Sequence, residues 1–154
     1  MIRALVTAGP IDAGEELARL EALGGGGVAS FTGVVRGGDG VTALELEQYP
    51  GMTQAAIEGI AHAAAERWPL LGVTLIHRHG RLETGERIVF VGAAARHRAE
   101  ALAAAAFLID WAKTRAPFWK REWLADGSSR WIEPRPEDET SAAEWEASAE
   151  HGRP

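Results

Sequence analysis

Hydrophobic positions along the chain switch several times between strand spacing and helix spacing. Ile2–Thr7 is a short β-rich run and predicts a strand. Residues 11–23 then fall at helical spacing behind Asp12, and the glycines at 24–27 end the helix. Residues 28–36 alternate loosely, Gly37-Gly38-Asp39-Gly40 is a turn signal, and residues 41–49 set Leu44 and Leu46 against Glu45 and Glu47. That pattern predicts a hairpin. After Pro50-Gly51, residues 53–68 return to helical spacing with Thr53 as N-cap, and Pro69 breaks the helix. Residues 73–82 and 87–93 predict two strands joined across residues 83–86. Residues 97–115 make the longest predicted helix, with Leu102, Ala105, Ala106, Ile109 and Ala112 on one face. It stops at Pro117, whose ring pushes Ala116 out of helical geometry. Phe118–Leu124 and residues 130–132 predict a last hairpin around Asp126-Gly127.

Strand, helix, hairpin, helix, hairpin, helix, hairpin is an order that favours antiparallel pairing. The expected class is α+β, a mostly antiparallel sheet with three main helices, and not a doubly wound parallel sheet. No repeat or long linker divides the chain. Residues 1–135 therefore read as one domain, and residues 136–154 as an acidic tail that is weakly helical around Trp145 or disordered. At 154 residues and 46% hydrophobic content the chain builds a core without a metal or disulfide. Its longest apolar run, residues 101–109, is far short of the ~20 residues of a membrane span. The N-terminus lacks the basic start and apolar stretch of a signal peptide, so a soluble, cytoplasmic protein is expected.

Composition narrows the chemistry. There is no cysteine, which excludes thiol nucleophiles, iron–sulfur clusters and Cys-ligated zinc. The net charge of −6 argues against general nucleic-acid binding. Seven acids and two arginines lie between Glu133 and Pro154, which leaves the body close to neutral. Within that body, Arg96, Arg98, Lys113, Arg115, Lys120 and Arg121 face only Glu100 and Asp110 in sequence, an excess that reads on charge alone as a solvated helix end first and as a focused anion site second. Several familiar motifs fail. The glycines at 24–27 close a helix and precede no Gly-Lys-Ser/Thr, so they are no phosphate loop. His77 and His79 share a strand face without an obvious third ligand, and they read as structural or surface histidines; no metal is expected.

Fourteen arginines accompany just two lysines, Lys113 and Lys120, seven residues apart. An amine can give up its proton when crowded or desolvated, whereas a guanidinium cannot. Lys113 falls in the last turn of the long helix, and the break at Pro117 can fold Lys120 back towards it. Strand alternation puts Lys120 and Glu122 on one face, opposite Trp119, Arg121 and Trp123. A deprotonated lysine acts as nucleophile or general base, and a charged one holds an anion. The plainer reading is an ion pair between Lys113 and Asp110 at i, i+3.

The segment Lys113-Thr114-Arg115-Ala116-Pro117-Phe118-Trp119-Lys120-Arg121-Glu122 resembles the catalytic (large) subunit of molybdopterin synthase. Further matching blocks run in order: Phe31-Thr32-Gly33-Val34-Val35-Arg36, Tyr49-Pro50-Gly51-Met52-Thr53, Arg67-Trp68-Pro69-Leu70, Ile76-His77-Arg78-His79-Gly80, residues 85–91, His97-Arg98 and Arg130-Trp131. The resemblance implies an α/β-hammerhead fold and insertion of two sulfurs into cyclic pyranopterin monophosphate to form the dithiolene of molybdopterin. Sulfur would arrive as a thiocarboxylate on the C-terminal Gly-Gly of a small ubiquitin-like subunit, and the chain would need no cofactor of its own. It also implies substrate contacts at Arg36, His97, Arg98, Lys113, Lys120, Arg121, Glu122 and Arg135, with Lys113 as principal catalytic group and Lys120 as its partner. Val34 stands where some relatives carry lysine. The first 25 residues and the tail after Arg135 match poorly.

His97 and Lys113 are sixteen positions apart, which is ~24 Å along a continuous helix. Both reach one small pocket if His97 and Arg98 come from a second copy, which predicts a homodimer with shared sites; the resemblance adds one small subunit at each end, a heterotetramer. Two other classes compete with the enzyme: a non-catalytic pterin- or anion-binding module, and a scaffold for ubiquitin-like tails. Binding alone could use arginine in place of both lysines. A scaffold would bind tails regardless of Arg36, His97 and Arg98.

Overall fold

A computed structural model of the chain describes residues 1–132 and 143–146. The elements run β1 (Ile2–Thr7), α1 (Ala13–Glu21), β2 (Gly27–Val34), β3 (Val41–Gln48), α2 (Met52–Arg67), β4 (Leu70–Arg78), β5 (Gly80–Glu83), β6 (Arg87–Ala95), α3 (Arg98–Arg115), β7 (Phe118–Leu124) and β8 (Ser129–Trp131). This is the expected α+β class, with its strands sorted into two sheets, β1-β4-β6-β2 and β5-β3-β7-β8. Their pairings are antiparallel except that of β1 with β4.

The first sheet is covered on both faces. Alternation along β4 and β6 sends Val73, Leu75, Val89 and Val91 to one side, where they pack with Ile57, Ile60, Ala61 and Ala64 of α2 and Phe107, Leu108 and Ala112 of α3. Ile76, Phe90 and Ala94 point the other way, onto Ile11 and Leu20. Leu20 approaches this closely because Gly92 lies beneath it: a Cβ there would sit 2.6 Å from Leu20 Cδ1. Helix α1 begins at Asp12, whose carboxylate accepts from the Glu15 N–H at 3.0 Å. The second sheet has a smaller core of Val35, Leu46 and Leu82.

Several local expectations give way to long-range pairing. The hairpin predicted over residues 28–49 does not form, because β2 pairs with β6 while β3 pairs with β5 and β7. Likewise the single strand expected over residues 73–82 divides at Gly80, whose φ of 98° turns the chain from the first sheet into the second. Helix α3 is also rotated relative to the predicted face. Ala101, Ala104, Ala105, Phe107, Leu108 and Ala112 are buried, while Leu102 is 60% exposed. Alanines surround this helix, so apolar spacing does not choose a face; the bulk of Phe107 does.

Other expectations hold. Ala116 is extended (φ −79°, ψ 114°) ahead of Pro117, and β7 pairs with β8 as the last hairpin. Residues 143–146, which include Trp145, form a helical turn. Arg135 and the remainder of the acidic tail lie outside the described residues. Among the described residues, no helix is long and apolar enough to cross a membrane.

Candidate functional site

The C-terminal end of α3 closes a cavity of about 80 Å³ where the two sheets meet. One wall is the cross-strand pair Leu46–Lys120 of β3 and β7, with Leu44 beside it. The pair His77–Val89 of β4 and β6 makes a second wall, and Ile109, Ala112 and Lys113 of α3 make the third. Both lysines therefore open onto one cavity, as the break at Pro117 predicts.

Thr53 holds that corner. Its hydroxyl, fully buried, accepts from the Tyr49 N–H at 2.9 Å and donates to Pro117 O at 2.7 Å. It is not the N-cap that the sequence suggests; Gly51 occupies that position, and α2 starts at Met52. The tie from Thr53 to Pro117 spans 64 residues, so no local pattern announces it.

His77 is the other residue that the sequence undervalued. Leu75 and His77 share a strand face, which carries the imidazole to the α3 side. Its ring stacks on Phe118 (centroids 4.2 Å apart, 28° between planes), and its Nδ1 lies 2.9 Å from Arg78 O. Burial lowers its pKa to about 4; the hydrogen bond to Arg78 opposes this, and the positive Lys120 and Lys113 add to it. The imidazole is therefore neutral at pH 7 and competes with neither lysine for an anion. Among the described residues, no cluster of three His, Cys, Asp or Glu side chains is placed to hold a metal.

The depressed pKa has a stability consequence. Between the ordinary value of 6.5 and about 4 the unfolded chain takes up a proton that the folded chain refuses. The unfolded state binds more protons in that window, so stability falls as pH falls through it. The contribution is fully present above pH 6.5, and about 3 kcal/mol is lost by pH 4. His77→Phe, which keeps a ring on Phe118, is expected to remove this share of the slope in urea unfolding measured from pH 4 to 7. An identical slope in the variant would contradict the assignment.

The remaining sequence-predicted residues are spread more widely. Glu122 accepts from Arg130 Nε and Nη2 at 2.9 and 2.8 Å. Arg121 is off the cavity wall, its guanidinium 4.2 Å from the centroid of the Trp131 ring and 5.6 Å from that of Trp123. Arg36 is exposed just past β2, and His97 and Arg98 are exposed at the start of α3. The fold thus joins Lys113 to Lys120 and leaves Arg36, His97, Arg98 and Arg121 outside that wall. The expected Asp110–Lys113 ion pair is absent among the described residues; Asp110 instead accepts from the Trp145 indole at 2.6 Å. Leu44 and Leu46 were legible as a strand face, but not as a cavity wall.

Fold and cavity together define a cysteine-free α+β protein in which two lysines share one cavity, so that an amine and no thiol is available there. The sequence matches the family model described as MoaE protein over residues 6–115. It is 55% identical over 123 residues to the molybdopterin synthase catalytic subunit of Brucella melitensis, an alignment covering 79% of this chain and 76% of that one. The corresponding subunit of Cereibacter sphaeroides is 47% identical over 147 residues, covering 94% of this chain and all of the relative. Among solved structures, a molybdopterin biosynthesis MoaE protein from Burkholderia ambifaria superposes with a TM-score of 0.79 at 43% identity, covering 94% of this chain and 98% of that one. The chain belongs to the MoaE protein family. The resemblance carried by the motif blocks is borne out, and with it the role in molybdenum-cofactor synthesis as a sulfurtransferase-type enzyme.

Proposed function

We propose that this chain inserts sulfur into cyclic pyranopterin monophosphate, taking it from the C-terminal thiocarboxylate of a small ubiquitin-like partner subunit in the cytoplasm. The observation that carries this reading is the convergence of the chain's two lysines on one cavity. At about 80 Å³ the cavity is well below the roughly 300–1,000 Å³ of a small-molecule pocket. That suits the end of a side-chain-free Gly-Gly tail, with the pterin at the mouth. Lys113 is the principal catalytic group, and Lys120 stabilises the negative charge that develops. Arg36, Arg121 and Arg135 serve the phosphate and the polar edge of the pterin, which suit a bidentate guanidinium. Glu122, two residues beyond Lys120 on the same strand, is a further substrate contact in this reading.

The reading includes a homodimer with shared sites, within a heterotetramer. Helix α3 is continuous from Arg98 to Arg115, so His97 and Lys113 of one copy stand ~24 Å apart. An antiparallel pairing of two α3 helices about an axis near Ala105, midway between those positions, brings His97 and Arg98 of one copy to Lys113 of the other. Such a pairing covers Leu102, which is otherwise 60% exposed.

Reconstitution tests this. The chain, a thiocarboxylated small subunit and cyclic pyranopterin monophosphate are mixed, and the dithiolene product is quantified. Product is expected from the full mixture and not from the chain alone. No product, with both partners demonstrably bound, would move the reading to a non-catalytic module. In a second arm, His97→Ala and Lys113→Ala copies are mixed after dissociation. Shared sites restore about one quarter of wild-type activity, since half of the random dimers then carry one intact site of two. No recovery rules out the sharing.

A further inference from the structure

Residues 143–146 return to α3 and seat against it one turn before Lys113. Trp145 meets Trp68 and Phe107 edge-on, with ring centroids 5.7 and 5.8 Å away. The Arg67 guanidinium lies 5.2 Å from the Trp145 ring centroid, and its Nη1 donates to Trp145 O at 3.1 Å. From this clamped position the indole N–H donates to Asp110 Oδ2 at 2.6 Å, and the neighbouring Glu146 pairs with Arg115. Asp110 and Arg115 are the charged residues that flank Lys113 on its own helix.

Asp110 precedes Lys113 by three residues, the spacing at which a carboxylate and an ammonium meet on a helix surface. An ammonium captured there is drawn back along the helix, away from Lys120. Yet Lys113 lines the cavity with Lys120 and His77, and Asp110 Oδ2 accepts from the indole instead. We infer that Trp145 is a positioning residue for the sulfur-transfer site: its N–H holds the Asp110 carboxylate and so leaves Lys113 to face the cavity. The kinetic part of this inference rests on the reading that Lys113 carries the reaction. Ring packing alone does not account for the contact. A phenylalanine would also fill the space beside Trp68 and Phe107, but only the indole offers a donor that reaches Asp110.

Trp145→Phe separates the two roles, because it keeps a ring and deletes the N–H. In the reconstituted complex its kcat is expected to fall about tenfold, with KM for the pterin within about twofold of wild type. Adding Asp110→Asn removes the carboxylate that would capture Lys113, and kcat is expected to return to within about twofold of wild type. With two lysines in the sequence, lysine-selective 13C NMR reads the Lys113 side chain directly. Its contacts with the apolar cavity wall are expected to weaken in Trp145→Phe and to return in the double variant. Contacts that do not change in Trp145→Phe overturn the inference, and so does a loss of kcat that Asp110→Asn fails to recover. Contacts that move while kcat stays at the wild-type level uphold the positioning and count against Lys113 as the catalytic group.

Discussion

Lys113→Ala is expected to lower dithiolene formation by about 10²–10⁴-fold, the range that a positioned proton-transferring group supplies. Lys113 is exposed at the cavity, so its removal leaves the packed core intact, and an unchanged Tm separates a chemical defect from a folding one. Lys113→Arg is the sharper variant. It keeps the positive charge on α3 but replaces an amine that can shed a proton with a guanidinium that cannot. A loss close to that of alanine shows that charge at position 113 is insufficient. Retention of activity by arginine would keep the anion-binding role and remove the amine chemistry. Lys120→Arg, on the opposite wall, is expected to cost less, because stabilising developing negative charge is something a guanidinium still does. The checks are initial rates with saturating small subunit and pterin, with binding of both partners confirmed for each variant.

Phe107→Ala is expected to destabilise the protein by about 3–5 kcal/mol. For a chain of this size that lowers Tm by about 10 °C. Phe107 is 1% exposed and stands at the centre of an aromatic cluster. Its ring lies 5.4 Å from Trp68 in an edge-on arrangement and 4.4 Å from Trp111. The Arg67 guanidinium is 5.6 Å from its centroid. Truncation leaves a cavity between α2 and α3 that these rigid rings cannot close, so the cavity adds to the lost burial. The same cluster seats Trp145. Thermal unfolding of the variant therefore reports on the seam that also holds the last turns of α3. A loss below about 1 kcal/mol would mean that these rings repack into the space that Phe107 leaves.

Much of the site was readable before any geometry. The absence of cysteine, the retention of two lysines among fourteen arginines, and the proline that turns the chain between them are all local facts. Proline geometry at 116–117 has one outcome wherever the chain lies, and the extended Ala116 follows it. Strand alternation was equally dependable at β7, where Lys120 reaches the cavity while Arg121 stacks on Trp131. His77 was readable as a structural or surface histidine but not as part of the lysine cavity, because that place depends on Phe118 and on two lysines that lie 36 and 43 residues further along the chain.

What the amino-acid sequence determined by itself is therefore most of the elements, the break at Pro117, and the amine chemistry placed at one corner. Each of these depends on a residue and its neighbours within about one helical turn or two strand positions. Tertiary structure alone decided that β2 joins β6 and not β3, that α3 buries Phe107 and leaves Leu102 outside, and that Asp110 meets Trp145 and not Lys113. Those outcomes are choices among partners distant in sequence. They are settled by which combination buries the most apolar surface at the least cost in unpaired polar groups, a quantity that no short window of sequence contains.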